Sequence, residues 1–454
     1  MKTNFILLFL LVFNLATLTI SPLPWNDEIY FADLSLSLAQ QNSLINTILP
    51  MDNPPFVYLY GPIYFYIQAS LIKLFGLKIF LFRFVNFISS IGILWILYRY
   101  FRVNKLLILL LAVSPLFIQN AHSGRMDLLA TFFALAGYIP FEDQMKINWQ
   151  RIFLTASFFL LAFLTSPRVG FLFPGLYVLL SSDFRVTVKN FFLILIPPIT
   201  VVLGLIGWSL GTTGSLLEAY LPIFKSNIGQ SSEVHIGISF IRGHLEDLLS
   251  IVFLVFGIVQ LKKRYNSLVL AMLMNFVFFS IFVKEVGPYG AMVLPFIILG
   301  LSQIDFSNIY FKSSIKFILI IFSIYFIGKG TFLIYSSSSR NYDYVDNFIK
   351  SSIPPGEKVC ATNEYYYSLL NNNNRPLMIQ FESKEARLFI LKENPTYILL
   401  NRQFYKSEKF DYLFGKLKYK KIGEINNKSL EGFKLLNKYN IISGIDGVLL
   451  KIYN

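Results

Sequence analysis

The sequence predicts an α-helical polytopic membrane protein of about eleven transmembrane helices, with a helical first-loop region on the outer face and a small C-terminal α/β soluble domain. Three observations predict it. Of 454 residues, 55% are hydrophobic and 15% charged, with a mean hydropathy of +0.56; this leaves too little polar surface for a water-soluble fold. Apolar runs separated by short polar clusters fill the chain to about residue 340, beyond which Lys, Glu, Asn and Asp reach ordinary globular density. Basic residues sit in small groups beside the apolar runs. The expected domains are therefore 1–339 in the membrane and 340–454 outside it.

The first element is the run from Phe5 to Ile20 behind Lys2. No small-x-small cleavage pattern precedes Pro22, so it reads as an uncleaved anchor. Later candidate spans, each near the ~20 residues a bilayer requires, lie at about 80–98, 105–121, 127–141, 151–166, 169–182, 190–210, 247–261, 267–283, 288–303 and 315–335. Residues 55–76 are also long enough to cross, and charge decides against it. If that segment lies on the outer face, Arg99, Arg102, Lys105, Lys146, Arg151, Arg185, Lys189, Lys262, Lys263, Arg264, Lys312 and Lys316 fall inside. If it spans, every later loop flips and the positive-inside tendency is violated. Gly61, Pro62 and the Pro54-Pro55 pair also suit an interfacial helix. The expectation is an integral protein of the plasma (inner) membrane, with its amino terminus cytoplasmic and its C-terminal domain extracytoplasmic. Beyond Arg340, YDYVDNFIKS, EYYYSLL and ESKEARLFILKE read as helices, and EKVCAT, RPLMIQF and PTYILLNR as strands, an α/β alternation. KLKYKKIG reads as a solvated strand, and Pro354-Pro355-Gly356 and Asn371–Asn374 as turns.

The net charge of +14 is explained by topology and anionic lipid, so no nucleic-acid partner is expected. One cysteine, Cys360, excludes an internal disulfide and a multi-cysteine metal site. Walker A, dinucleotide, HExxH and nucleophile-elbow motifs are absent, and His122, His235 and His244 lack metal-ligand spacing. The residues left to carry chemistry sit at the outer ends of spans. Asp27 and Glu28 follow the first run; on a helix they point about 100° apart and cannot share one proton. One suits a general base and the other an orienting group or metal ligand, while Asn26 suits a helix cap and the acidic pair a first turn. Arg83 lies one turn into the span near Phe80. Arg125 and Asp127 mark the HSGRMD junction, Arg168 the TSPRVGF junction, and Lys284, Glu285 and Tyr289 the KEVGPYG junction. Ionisable residues near a bilayer are costly and are usually paired or functional. Together they call for an outer cavity where cations meet a phosphate and carboxylates deprotonate an acceptor hydroxyl or amine.

The ordered stretches NDEIYFADLSLSLAQ, NPPFVYLYGPIYFYIQASLIKLFGLKIFLFRFVNFIS, GRMDLLATFFALAGY, LTSPRVGFLFPGLYVLL and KEVGPYGAMVLPFIILGLS cover residues 26–302. In that order they resemble the GT-C membrane glycosyltransferases, within them the protein O-mannosyltransferase and aminoarabinose transferase branch. The resemblance implies transfer of a hexosyl or pentosyl group from a polyprenyl-phosphate sugar donor to a lipid, glycan or protein acceptor at the extracytoplasmic face. By position it makes Asp27 the catalytic carboxylate with Glu28 beside it and Asp127 on the opposite wall. It gives Arg168 and Arg125 to the donor phosphate with Tyr289 near them, and makes Arg83, Lys284, Tyr60 and Asn53 further substrate contacts. Where the family often has a basic residue before the Pro-Pro pair, this chain has Asn53. No cofactor is implied with certainty; a divalent metal, if used, would fall to Asp27 or Glu28. A polytopic transporter or lipid-linked-sugar flippase is the alternative, and against it the chain has no internal repeat and no paired broken helices. A catalytically decayed assembly subunit is a third reading.

Overall fold

The computed structural model describes residues 2–48, 60–141, 149–182, 199, 202–203, 206, 244–283, 289–335, 337–379, 384–426 and 445–453. It is mostly helical, with one small sheet near the C-terminus. The chain divides into two compact units. One contains residues 1–16, 55–64 and 84–326; the other contains 17–54, 65–83 and 327–454. Both are discontinuous in sequence, and each has its own core.

The first unit is a helical bundle. Its helices are α1 (Lys2–Ala16), most of α4 (Ile79–Arg99), α5 (Lys105–Ala112), α6 (Pro115–Ala121), α7 (Asp127–Ala136), α8 (Trp149–Thr165), α9 (Phe173–Ser182), α10 (Asp247–Lys263), α11 (Ser267–Phe282), α12 (Gly290–Ser302) and most of α13 (Ile309–Tyr335). Among the described residues two helices, α4 with 21 residues and α13 with 27, are long and apolar enough to cross a membrane by themselves, and the other apolar helices described are shorter. Both long helices expose large apolar side chains: Ile88 and Trp95 on α4, and Phe317, Ile320 and Ile324 on α13. An apolar belt of that kind is stable against hydrocarbon and costly in water.

The expected span at 105–121 is divided. Pro115 lacks the N–H that would continue α5, so it occupies the first turn of α6. Ser114 caps that turn, and Glu246 Oε1 accepts from Ser114 Oγ at 2.7 Å and from the Leu116 amide at 2.8 Å. The span at 127–141 likewise resolves into α7 and a 3-10 turn at Ile139–Phe141. A buried polar chain ties the bundle together. Asn275 accepts from the Gly175 amide at 2.7 Å and donates to Tyr138 Oη at 2.8 Å, and that hydroxyl donates to the Leu172 carbonyl. A Cβ on Gly175 would lie 2.4 Å from the Ala271 carbonyl, so α9 and α11 approach as closely as they do only because glycine is there. The expected span at 190–210 falls almost wholly outside the described residues.

The second unit joins the first-loop helix α2 (Asn26–Gln41) and most of α3 (Pro62–Phe75) to the C-terminal α/β fold. Its strands are β1 (Lys358–Ala361), β2 (Arg375–Met378), β3 (Tyr397–Leu400), β4 (Lys418–Ile425) and β5 (Gly447–Tyr453), in the order β2-β1-β3-β5-β4. β1 pairs in parallel with β2 and β3, while β5 pairs antiparallel with β3 and β4. Helices α14 (Tyr342–Ser352), α15 (Tyr366–Asn371), α16 (Lys384–Glu393), α17 (Arg402–Tyr405) and α18 (Glu408–Phe414) intervene. The elements up to β3 are those read from the sequence, as is KLKYKKIG, which forms the exposed half of β4, whereas α17, α18 and β5 were not read. The division at residue 340 is one of composition. By packing, the first-loop segment belongs with the sheet: the Met378 amide donates to the Ile48 carbonyl at 2.9 Å, extending the edge at β2.

Candidate functional site

In the bundle, the α6–α7 corner carries Arg125 and Asp127. Its backbone is held from α4, where Asn86 Nδ2 donates to the Ser123 carbonyl at 2.8 Å. Arg125 Nε donates to Asp127 Oδ2 at 2.6 Å, and both side chains are buried. Arg125 is among the largest fully buried side chains of the chain. A guanidinium so far from water must be paired, and the carboxylate two residues on supplies the partner. The Thr131 hydroxyl donates to the Asp127 carbonyl at 2.8 Å, fixing the first turn of α7.

Arg168 lies on the 3-10 turn Pro167–Leu172 at the end of α8. Its guanidinium carbon is 4.0 Å from the ring centroid of Tyr289 and 5.4 Å from that of Tyr60, and that of Arg125 is 4.9 Å from the Tyr289 ring. Two cations therefore share one aromatic face system, an arrangement that fixes each guanidinium plane without consuming its donors. Tyr60 reaches this place through its neighbour. The Gly61 amide donates to the Thr165 carbonyl at 3.2 Å, and a Cβ at Gly61 would lie 1.8 Å from the Leu164 carbonyl. Burial pulls the pKa of Arg168 down; Tyr289, Tyr60 and Asp127 more than offset it, so the net shift is upward. Asp127 Oδ1 and Arg168 Nη1 are buried and have no hydrogen-bond partner among the described residues. Unmade hydrogen bonds of buried charged groups are expensive, and here both kinds face one cluster: an acceptor oxygen and a cationic donor.

In the second unit, the backbone of Trp25 occupies the cap position of α2, one residue earlier than the sequence suggests, and Asn26 Oδ1 accepts instead from Asn363 Nδ2. Asp27 and Glu28 diverge as helical geometry requires: Asp27 is half-buried and Glu28 fully buried. Glu28 is held by Arg83 in a two-pronged pair, Nε to Oε1 at 2.7 Å and Nη2 to Oε2 at 2.9 Å, while Arg83 Nη1 donates to the Leu18 carbonyl at 2.9 Å. Tyr367 Oη stands 3.5 Å from Glu28 Oε1. Arg340, with Nη1 on the Ile20 carbonyl at 3.0 Å, is pushed down to about 10 by burial and by the like charge of Arg83 against the opposing Tyr342. One turn beyond Tyr30, Asp33 accepts from the Thr47 amide at 2.6 Å and hydroxyl at 2.8 Å.

Of the residues singled out from the sequence, the bundle gathers Arg125, Asp127, Arg168, Tyr60 and Tyr289, and the second unit pairs Glu28 with Arg83. Lys284 and Asn53 lie outside the described residues. Among those described, no three His, Cys, Asp or Glu side chains gather as a metal site. Sequence reading missed Asn86, Asp33 and the packing role of Gly61. Asn86 had a legible signal: it is an amide within a long apolar run, one turn beyond Arg83. Gly61 was read only as a helix-breaker.

No protein-family model and no curated protein match the sequence. Solved structures do match the fold. ArnT from Cupriavidus metallidurans bound to undecaprenyl phosphate superposes with a TM-score of 0.57 at 14% identity, over 99% of this chain and 98% of that one. Its apo state gives 0.58 at 12% identity over the same shares. The oligosaccharyltransferase of Archaeoglobus fulgidus, in complex with Zn and sulfate, gives 0.47 at 13% identity over 90% of this chain and 70% of that one. Over these shares the chain has a fold similar to that of ArnT, which is the fold that the resemblance read from its motifs implies.

Proposed function

We propose that this protein is an integral-membrane glycosyltransferase that moves a hexosyl or pentosyl group from a polyprenyl-phosphate donor to a lipid, glycan or protein acceptor on the extracytoplasmic face. The observation that carries this reading is the Tyr289 ring bearing the guanidinia of both Arg125 and Arg168 beside Asp127. Two cations and one carboxylate leave a net positive charge, and both guanidinia are already oriented, so a phosphate binding there orders little further. That cluster belongs to a chain with the fold of a protein seen with undecaprenyl phosphate.

In the proposed reaction the acceptor oxygen or nitrogen attacks the anomeric carbon of the donor. The bond from that carbon to the phosphate oxygen breaks, and the polyprenyl phosphate leaves with its charge held by Arg168 and Arg125. Asp27 takes the acceptor proton. Asp127 orients Arg125. Glu28 and Arg83, each committed to the other, act as a strut that holds the first turn of α2 and with it Asp27. The eleven-span topology with a cytoplasmic amino terminus and an outer C-terminal domain is part of this proposal.

The test is a transfer assay in membranes with a radiolabelled polyprenyl-phosphate sugar. Asp27→Asn is expected to lower turnover at least about a hundredfold, the usual worth of a general base, with thermal stability within about 0.5 kcal/mol of the parent. Arg168→Ala is expected to raise the donor KM more than the acceptor KM, and Arg168→Lys to restore little, because an ammonium neither stacks on Tyr289 nor binds phosphate with two prongs. Unchanged transfer in both Asp27→Asn and Asp127→Asn would overturn the mechanism.

A further inference from the structure

We propose that the bundle carries a second lipid site, for an anionic glycerophospholipid, separate from the residues assigned to the donor phosphate. An apolar cavity of about 340 Å³ lies among α1, α4, α5 and α6, lined by Leu10, Leu94, Trp95, Ile108 and Phe117 among others; that volume suits a small ligand or the end of a hydrocarbon chain. Two of its polar liners commit their donors within the protein. Asn14 Nδ2 donates to the Leu10 carbonyl at 2.8 Å and the Ser90 hydroxyl to the Phe87 carbonyl at 2.6 Å, each spent on its own helix.

Tyr98 lines this cavity and also a second hollow of about 590 Å³ formed with Arg99, Arg102, Val103, Asn104 and Lys105. Three cations thus line a hollow that shares Tyr98 with an apolar cavity. All three are exposed. Two features fix the loop that presents them. Arg102 sits in the left-handed region at φ 50°, uncommon for a residue with a Cβ and maintained where the surroundings determine the backbone. Lys105 stands 5.7 Å from the Tyr98 ring centroid, and Trp95 packs edge-on to Tyr100 at 5.2 Å. Aromatic side chains between hydrocarbon and charge are what a membrane–water interface selects.

The chemistry that fits both halves together is a chain in the cavity and a phosphodiester at the basic loop. A free phosphate would leave the apolar cavity empty, and a neutral headgroup would bring no negative charge to a loop that exposes Arg99, Arg102 and Lys105. The acidic phospholipids of the leaflet facing this end of α4 supply both parts, and the proposed topology makes that leaflet cytoplasmic, where anionic headgroups draw basic clusters.

The experiment uses the full chain in nanodiscs of phosphatidylcholine containing phosphatidylglycerol, with retained lipid read by native mass spectrometry after mild delipidation. One phosphatidylglycerol per chain is expected to be retained in preference to phosphatidylcholine. Replacing Arg99, Arg102 and Lys105 together by Gln should cut that preference about a hundredfold, since each basic residue near an anionic headgroup is worth a factor of about five (about 1 kcal/mol). Arg99→Lys with Arg102→Lys should keep it. Ala112→Phe, which fills the cavity, should lose retention; if that variant does not fold, the exposed triple replacement still decides. Arg168→Ala should leave retention unchanged whether or not the transferase reading holds. Equal retention of both lipids, an unaffected triple variant, or displacement of phosphatidylglycerol by undecaprenyl phosphate would overturn the proposal.

Discussion

Asp33 puts both of its oxygens on a single residue, Thr47, and Thr47 is adjacent to the backbone pair between Ile48 and Met378. Its carboxyl is pushed up to about 6, chiefly by burial, against the opposing hydrogen bonds of Thr47 and Ile48 and the charge of Arg375. Tyr30 on the same helix and Tyr366 both feel its charge. An unfolded Asp titrates near 3.9, so between about pH 4 and 6 the folded chain holds a proton that the unfolded chain has released. This raised value contributes stability that is complete below about pH 4 and is lost as pH rises through 6, on the order of 3 kcal/mol in all. The stability of the parent relative to Asp33→Asn is therefore expected to fall across that window and to be flat above about pH 6.5. Thermal unfolding of both proteins in detergent at a series of pH values measures it; parallel curves would show that the carboxyl titrates at its ordinary place.

Elements explain which parts of this site were readable in the sequence. Acidic and basic residues at span ends were visible because charge beside an apolar run is conspicuous. The partner each would choose was not, because Glu28 and Arg83 are separated by 55 positions and meet only through the way α2 lies against the start of α4. The breaks in the bundle were hidden for a related reason. Hydropathy reads Lys105–Ala121 as one run, and only the cap chemistry of Ser114-Pro115, completed by the distant Glu246, divides it. The C-terminal elements from α14 to β3 were legible because alternating short amphipathic runs with Pro-Pro-Gly and Asn turns carry their own boundaries, whereas α17, α18 and β5 were not read. Gly61 shows what pattern reading leaves out, since its role is the space a side chain would occupy. Gly61→Ala puts a Cβ 1.8 Å from the Leu164 carbonyl, so the hydrogen bond to Thr165 must open and Tyr60 must leave Arg168. The expected result is a raised donor KM with the acceptor KM little changed, together with a loss of roughly 1–3 kcal/mol as in other overpacked sites. A variant with parental donor KM would show that Tyr60 does not shape the phosphate contact.

At the scale of the whole molecule the open quantity is topology, and charge is what argues it. Between residues 99 and 339, twelve Lys or Arg fall on the cytoplasmic side if residues 55–76 do not cross, and six fall outside: Arg125, Arg168, Lys225, Arg242, Lys284 and Lys329. Crossing by that segment would invert the ratio, against the bias that sets orientation during insertion. Within it, helix α3 runs for 14 residues from Pro62 to Phe75. Gln68 near its middle donates to the Phe82 carbonyl at 2.8 Å, which holds α3 to the start of α4. Charge thus favours the orientation with Asn341 outside. The chain offers a clean test because its single cysteine, Cys360, is fully buried in β1 and its thiol is raised by burial, so background labelling is low. A cysteine placed by Asn341→Cys is expected to react with a membrane-impermeant maleimide in intact cells, and one placed by Lys263→Cys only after the membrane is opened. The reverse pattern would put the C-terminal domain inside and require residues 55–76 to cross, and the outer-face reaction would fall with it.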